Sequence, residues 1–133
     1  MRFIRLVFIF IICAMTSIQA FSSEKQSILI FVSFSMPKAS LKAWIHDTQK
    51  IHAPIIIRGL VNNSFKDTQK AIFDLIKEDH SLGGMQIDPL SFKKFNIEKV
   101  PAVVLTRGQD FDVIYGNATL DYALKKLHEA KHD

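Results

Sequence analysis

The chain has 133 residues, of which 48% are hydrophobic and 23% are charged, a balance typical of one globular domain rather than of two domains or a disordered tail. The formal net charge is +4, but residues 1–20 contribute two arginines and no acid, so the rest of the chain carries 15 basic against 13 acidic side chains. So small an excess argues against nucleic acid as a partner.

The N-terminus has the layout of a secretory signal peptide. Arg2 and Arg5 form a basic start, Leu6–Met15 is an unbroken apolar run, and a short polar stretch ends at the small residue Ala20. A retained anchor needs about 20 apolar residues, roughly twice the length of this run. We therefore predict that residues 1–20 are a cleaved signal peptide, that the protein is exported to the periplasm, and that no stable membrane insertion follows.

Cys13 is the only cysteine in the chain. A lipoprotein would be processed at such a cysteine, but the bulky Ile11 and Ile12 precede it where processing requires a small residue, so an ordinary place in the apolar run is favoured. Removal of residues 1–20 takes this cysteine away. The mature domain must then be held together by its core alone and cannot be a thiol oxidoreductase.

The first half of the mature chain predicts a β-α-β unit. Residues 21–27 are a flexible polar lead-in to a domain that we assign to residues 28–133, and a strand buried on both faces is predicted for Ser27–Phe34. Pro37 suits the first turn of a helix. The helix repeats buried positions at Leu41, Trp44, Ile45 and Thr48, and it ends at His52-Ala53-Pro54, before a second strand at Ile55–Arg58.

A loop at Gly59–Asn63 leads into a second helix. Gly and Asn tolerate left-handed backbone, and Ser64 with Asp67 resembles a capping box. The expected apolar stripe of this helix includes Ile72, Phe73 and Ile76, and its expected end is Gly83-Gly84, which we interpret as a C-cap and not a phosphate loop. A short helix should follow over Pro89–Phe95, with Asp88 as its N-cap.

The last third predicts a hairpin and a closing helix. The hairpin strands are Ala102–Thr106 and Phe111–Tyr115, joined by a turn at Gly108–Asp110. The closing helix covers Thr119–His128. The order β-α-β-α-(short α)-β-β-α predicts an α/β domain with a mixed sheet flanked by helices on both faces.

These features resemble known families at two levels. A strand ending at a Pro-opened helix, Val100-Pro101 directly before a strand, a hairpin and a closing helix resemble the thioredoxin-like fold. More narrowly, the segments FVSFSMP, RGLVNNSFKDT, IDP and FNIEKVPAVV resemble the TrbC family of F-type conjugative pilus assembly proteins. This resemblance covers nearly the whole chain from Ile28 onwards.

The resemblance implies a thioredoxin-like fold without the CxxC motif, because serines, a methionine and a proline stand where thioredoxins carry the reactive cysteine pair. It further implies a cis Val100-Pro101 bond, and a periplasmic component of a type IV secretion system that is needed for pilus assembly. The implied partners are other assembly proteins of the TraW type. Larger relatives carry an extra N-terminal region, whose partner surface would be missing here.

Two groups of residues are candidate partner-binding sites. The first is a peptide-docking groove formed by Ser35, Met36, Pro37, Val100 and Pro101, in which the Val100 backbone pairs with an extended peptide and Met36 is an adaptable apolar contact. The alternatives are that Pro101 only completes the fold and that Ser35 only caps the helix.

The second group comprises Arg58, Asn62, Asn63 and Lys66, which offer hydrogen-bond donors to a partner. The alternative is that Gly59 and the asparagines satisfy the turn, while Arg58 pairs with an acid such as Asp67 or Asp88. Both interpretations stay open on sequence grounds.

Catalysis, cofactors and metals have little support in the sequence. Ser35 as a nucleophile would need a base, and no histidine is close in sequence, since His46 lies on the following helix. His128 and His132 share a helix face, but no cysteines or catalytic glutamate accompany them. We therefore expect them to interact with the negative end of the helix dipole and not to bind zinc. We expect a non-enzymatic assembly factor without cofactor, and keep a general periplasmic chaperone and a cysteine-independent enzyme as alternatives.

Overall fold

A computed structural model describes residues 26–77, 84–116 and 119–129. The predicted signal peptide, most of the lead-in, Gly83 and His132 lie outside these residues. The strands are β1 (Gln26–Val32), β2 (Ile55–Ile57), β3 (Met85–Ile87), β4 (Ala102–Arg107) and β5 (Asp110–Tyr115). The helices are α1 (Lys38–Lys50), α2 (Phe65–Ile76), α3 (Pro89–Lys94) and α4 (Leu120–Glu129), and a single 3-10 turn covers Val61–Asn63.

The five strands form one mixed sheet in the order β3-β2-β1-β4-β5. β1 runs parallel to β2, and β2 runs parallel to β3. β4 runs antiparallel to both β1 and β5, and a two-residue turn at Gly108-Gln109 joins β4 to β5. The mixed α/β sheet that the sequence predicts is therefore confirmed.

Three helices pack on one face of the sheet. A β-α-β crossover is almost always right-handed, so two successive crossovers that proceed in the same direction, β1 to β2 to β3, place α1 and α2 on the same side. The core on this face joins residues of α1, α2 and α4 to the sheet, among them Trp44, Leu75 and Leu120. The predicted stripe of α1 is confirmed, since Leu41, Trp44, Ile45 and Thr48 are all buried.

The other face is covered by α3 and the residues that follow it. Phe31 of β1 is fully buried and makes edge-to-face contacts with the rings of Phe92 and Phe95, at centroid distances of 4.8 and 6.0 Å. Asp88 caps α3 as predicted, because its Oδ1 accepts a 3.0 Å hydrogen bond from the Ser91 N–H. A six-residue helix therefore closes this half of the core.

The region after β2 differs from the prediction in three respects. α2 ends at Ile76 with Lys77 as its C-cap, so Gly83-Gly84 does not terminate it. Gly84 instead precedes β3, a strand that the sequence did not predict and that extends the parallel part of the sheet. Phe73 does not continue the core stripe of α2, since its side chain is 61% exposed. At helical periodicity, Phe73 lies on a different side of α2 from the buried Thr68 and Leu75.

Within residues 26–77, 84–116 and 119–129, no helix combines the length and the apolar character that crossing a membrane requires.

Candidate functional site

A cleft of about 500 Å³ opens where β1 and β2 end. It is lined by Ser33–Ser35, from the turn after β1, and by Ile57–Asn62, from the last residue of β2 and the loop that follows it. We call it the turn-loop cleft. The carboxyl ends of neighbouring parallel strands are the usual ligand position in open α/β sheets. The structure thus brings Ser35 together with Arg58 and Asn62, three candidates that the sequence assigned to two separate sites.

The first wall is a tight turn stabilised by two serines. The Met36 N–H donates to the Ser33 carbonyl at 3.1 Å, the Ser35 N–H donates to Ser33 Oγ at 3.1 Å, and the two hydroxyls lie 2.8 Å apart. Ser35 is not the N-cap of α1, because Pro37 occupies that position and makes no side-chain cap. Ser35 is exposed in the cleft instead.

The second wall is anchored by Arg58. Its Nη2 donates a 2.7 Å hydrogen bond to the Ile97 carbonyl, and its guanidinium carbon lies 4.9 Å from the centre of the Phe92 ring. The predicted alternative, an ion pair with Asp67 or Asp88, is wrong, because Arg58 contacts the segment after α3. This long-range partner has no signal in the local sequence.

The loop is held against the start of α2. The hydroxyl of Thr68 accepts a hydrogen bond from the Val61 N–H at 2.9 Å and donates to the Ser64 carbonyl at 2.7 Å. Ser64 Oγ accepts from the Asp67 N–H at 3.2 Å, which is one half of the predicted capping box. The other half is not formed, because the Ser64 N–H donates to the Val61 carbonyl at 2.9 Å and not to the Asp67 side chain. Asn62 donates to the Asp67 carboxylate at 3.3 Å. The cleft wall is thus an extension of α2.

Asn62 and Asn63 both adopt left-handed backbone, with φ of 50° and 54°. The sequence predicts this conformation, which costs asparagine less than most residues. Asn63 and Lys66 are exposed but do not line the cleft. Phe34 and Leu60 do line it, and sequence reasoning missed both. An apolar residue beside a polar turn was the available signal for each.

The remaining candidates lie around the cleft and not in it. Met36 lines a second groove, of about 230 Å³, between α1 and α2. Pro37 is exposed at the start of α1. The Val100-Pro101 bond is cis. Pro101 is buried and Val100 packs on the α3 face, so neither side chain lines the turn-loop cleft.

Arg58 is the only charged residue among those that line the turn-loop cleft, and none of the lining residues is histidine, aspartate or glutamate. His46 lies on α1 beside Asp47, where a hydrogen bond from Lys50 lowers the pKa of the Asp47 carboxyl, with His46 adding to the effect. Across the described ranges, no three His, Cys, Asp or Glu residues converge as metal ligands. The cleft is therefore a weakly cationic, partly apolar surface.

Comparison with known proteins agrees with this architecture. Residues 30–127 match the family described as "Type-F conjugative transfer system pilin assembly protein". The chain is 41% identical over 103 residues to "Periplasmic protein TrbC" of Escherichia coli strain K12; the match covers 77% of this chain and 48% of that protein. The chain thus spans about half the length of this relative.

The fold resembles solved thioredoxin-like proteins. StoA from Bacillus subtilis is 17% identical with a TM-score of 0.55, covering 77% of this chain and 82% of StoA. A thiol-disulfide isomerase from Corynebacterium glutamicum is 19% identical with a TM-score of 0.55 and 80% of each chain covered. At such identities these likenesses establish the thioredoxin-like fold alone. Since the family pattern spans most of the sequence, the chain belongs to the TrbC family of type-F conjugative transfer system pilin assembly proteins.

Proposed function

We propose that this protein is a periplasmic, non-enzymatic assembly factor for a type-F conjugative pilus, and that it docks a second assembly protein in the turn-loop cleft. The observation that carries the proposal is the cleft itself, which offers serine hydroxyls, an arginine and apolar side chains. The resemblance to thioredoxin-like proteins implies that the serine turn replaces their redox turn, which supports a role without thiol chemistry. The family description and the periplasmic relative support the cellular role.

The chemistry of the cleft favours docking over turnover. Ser35 Oγ is bonded to the Ser33 hydroxyl at 2.8 Å, and the described lining residues include no histidine or carboxylate to act as a base. Arg58 donates one of its guanidinium N–H groups to Ile97, which leaves further donors for a partner. We infer that the partner presents a carboxylate or main-chain carbonyls to Arg58 and an apolar side chain to Leu60.

The partner that we propose is an assembly protein of the TraW type. The test is a binding titration of the purified chain with the TraW-type protein of the same transfer system, supported by counting pili on cells that carry each variant. Leu60→Glu places a carboxylate in the cleft and should weaken binding at least tenfold. Leu90→Glu is the matched control, because Leu90 is 75% exposed on α3, outside the cleft, and should leave binding unchanged.

Equal binding by wild type and the Leu60→Glu variant would refute docking in this cleft. Loss of pili on Ser35→Ala with unchanged partner binding would favour the cysteine-independent enzyme, since only the hydroxyl is removed. Comparable binding of many unfolded polypeptides would favour the general chaperone. A chaperone must accept diverse segments, whereas an assembly factor selects one or two partners.

A further inference from the structure

The outer edge of β5 carries unpaired main-chain groups. The Ile30 N–H donates to the Pro54 carbonyl at 3.1 Å, on the β2 side of β1. Main-chain groups alternate sides along a strand, so the registers of β1 with β4 and of β4 with β5 determine which residues of β5 face outward. They are Phe111, Val113 and Tyr115, whose N–H and C=O groups make no hydrogen bond to any described residue.

The side chains of these three residues form an apolar strip on one face. Phe111 and Tyr115 are 42% and 45% exposed, and Val113 between them is half-buried. The Phe111 ring meets Phe95 edge to face at 5.0 Å, and the Tyr115 hydroxyl donates to the Asn96 carbonyl at 3.2 Å. Both rings are therefore held in place at the edge by the segment that ends α3. The aspartates of β5 lie on its other face, so this apolar face of the edge carries no charged side chain and no proline and is poorly protected against pairing.

We propose that a second copy of this chain pairs with β5 in antiparallel orientation, with Val113 opposite Val113 of the second copy. This register uses all the outward groups, forming six N–H···O=C bonds across the two-fold axis. It places Phe111 opposite Tyr115 of the second copy, twice, and cross-strand aromatic pairs stabilise a sheet. The two five-stranded sheets then form one continuous sheet of ten strands.

Charge on the opposite face supports this register and this occupant. Asp112, which is paired with Arg107 in its own chain, lies opposite Ile114 of the second copy. A register shifted to centre on Asp112 would set two carboxylates directly opposite each other, which is unfavourable. A second copy centred on Val113 therefore sets no like charges opposite each other and pairs the aromatic residues at both ends of FDVIY. Because an edge-to-edge contact buries less surface than a standard interface, we expect association that depends on protein concentration.

The register is tested by cysteine cross-linking in the exported protein, with Cys13→Ser introduced so that no natural thiol remains whether or not residues 1–20 have been removed. Val113→Cys should form a disulfide-linked dimer on mild oxidation, because directly opposed Cα atoms lie about 5.5 Å apart, within disulfide range. Tyr115→Cys alone should not, because the two copies of this position are offset by four residues, about 13 Å along the strand, which is beyond disulfide range. A mixture of Phe111→Cys and Tyr115→Cys chains should cross-link.

Association without cross-linking is measured by sedimentation equilibrium. Val113→Pro removes an N–H that makes no hydrogen bond to any residue that the structure describes, so the domain should keep its thermal transition while the dimer is lost. A monomeric wild type across the micromolar to millimolar range would overturn the proposal. So would a dimer that persists in the Val113→Pro variant, or cross-linking of the V113C chain only to a different protein, which would identify a foreign strand as the occupant.

Discussion

Thr68 is buried in the core, and its hydroxyl holds the loop that lines the turn-loop cleft, so removal of this hydroxyl should affect both the stability of the domain and the cleft wall. Thr68→Val keeps the shape of this buried side chain but removes its hydrogen bonds to the Val61 N–H and the Ser64 carbonyl. The Ser64 carbonyl still accepts the Thr68 N–H at 3.0 Å, whereas the Val61 N–H loses its acceptor.

The expected loss of stability therefore depends on the Val61 N–H, the one group that is left without its partner. A hydrogen bond contributes about 0.5–1.5 kcal/mol net, and stranding a buried donor costs about 1–3 kcal/mol. Val61 is only half-buried, so water relieves part of the penalty. We expect Thr68→Val to lower the free energy of unfolding by about 1–2 kcal/mol, which corresponds to about 4–8 °C in Tm for a domain of this size.

The assay combines urea unfolding with hydrogen exchange at the Val61 amide, which should lose its protection in the Thr68→Val variant. Thr48→Val is the matched control. Thr48 is equally buried, but its hydroxyl only donates to the Ile45 carbonyl of its own helix at 2.8 Å, so no donor is stranded and about 0.5 kcal/mol should be lost. Equal losses for the two variants, or a Val61 amide that stays protected, would refute the assignment of Thr68 as the anchor of the loop.

Two further predictions concern α3 and the exposed face of α2. Hydrogen bonds from Ser91 lower the pKa of Asp88, so the stabilisation from this cap is present above the ordinary carboxyl pKa of 3.8 and is lost as the pH falls through the lowered value. The Tm difference between wild type and Asp88→Ala should therefore stay constant from neutral pH to about pH 4 and shrink below it. Asn is an uncharged cap, so the Tm difference between Asp88→Asn and Asp88→Ala should change little with pH. A difference between wild type and Asp88→Ala that grows in acid would contradict the assignment. Phe92→Ala should lower the free energy of unfolding by about 3–5 kcal/mol, because the ring is buried against Phe31, whereas Phe73→Ala should cost less than about 0.5 kcal/mol in the same urea titration. Similar losses for the two phenylalanines would show that Phe73 is buried after all.

Most of the elements were predictable because their signals are local. The buried run of β1, the helical repeat of α1 and the caps at Ser64 and Asp88 each depend on residues within one or two turns of one another. The left-handed asparagines were predictable for the same reason, since backbone preference belongs to the residue itself.

The elements that the sequence missed depend on distant neighbours. β3 has only three residues and exists because it pairs with β2. The exposure of Phe73 follows from which side of α2 meets the sheet, and apolar character alone does not reveal it. A short strand gains its stability from its partner, so its own residues carry little signal.

The candidate site divides in the same way. By itself, the sequence determined that the turn at Ser33–Ser35 carries no thiol, that the loop at Gly59–Asn63 turns through left-handed asparagines, and that the chain resembles the TrbC family. Only the tertiary structure decided that the turn and the loop face each other, because adjacent parallel strands bring their ends together across residues far apart in the chain. Arg58 shows the physical reason: its partner Ile97 is 39 residues away, and only the packing of α3 on the sheet brings that carbonyl within hydrogen-bonding distance.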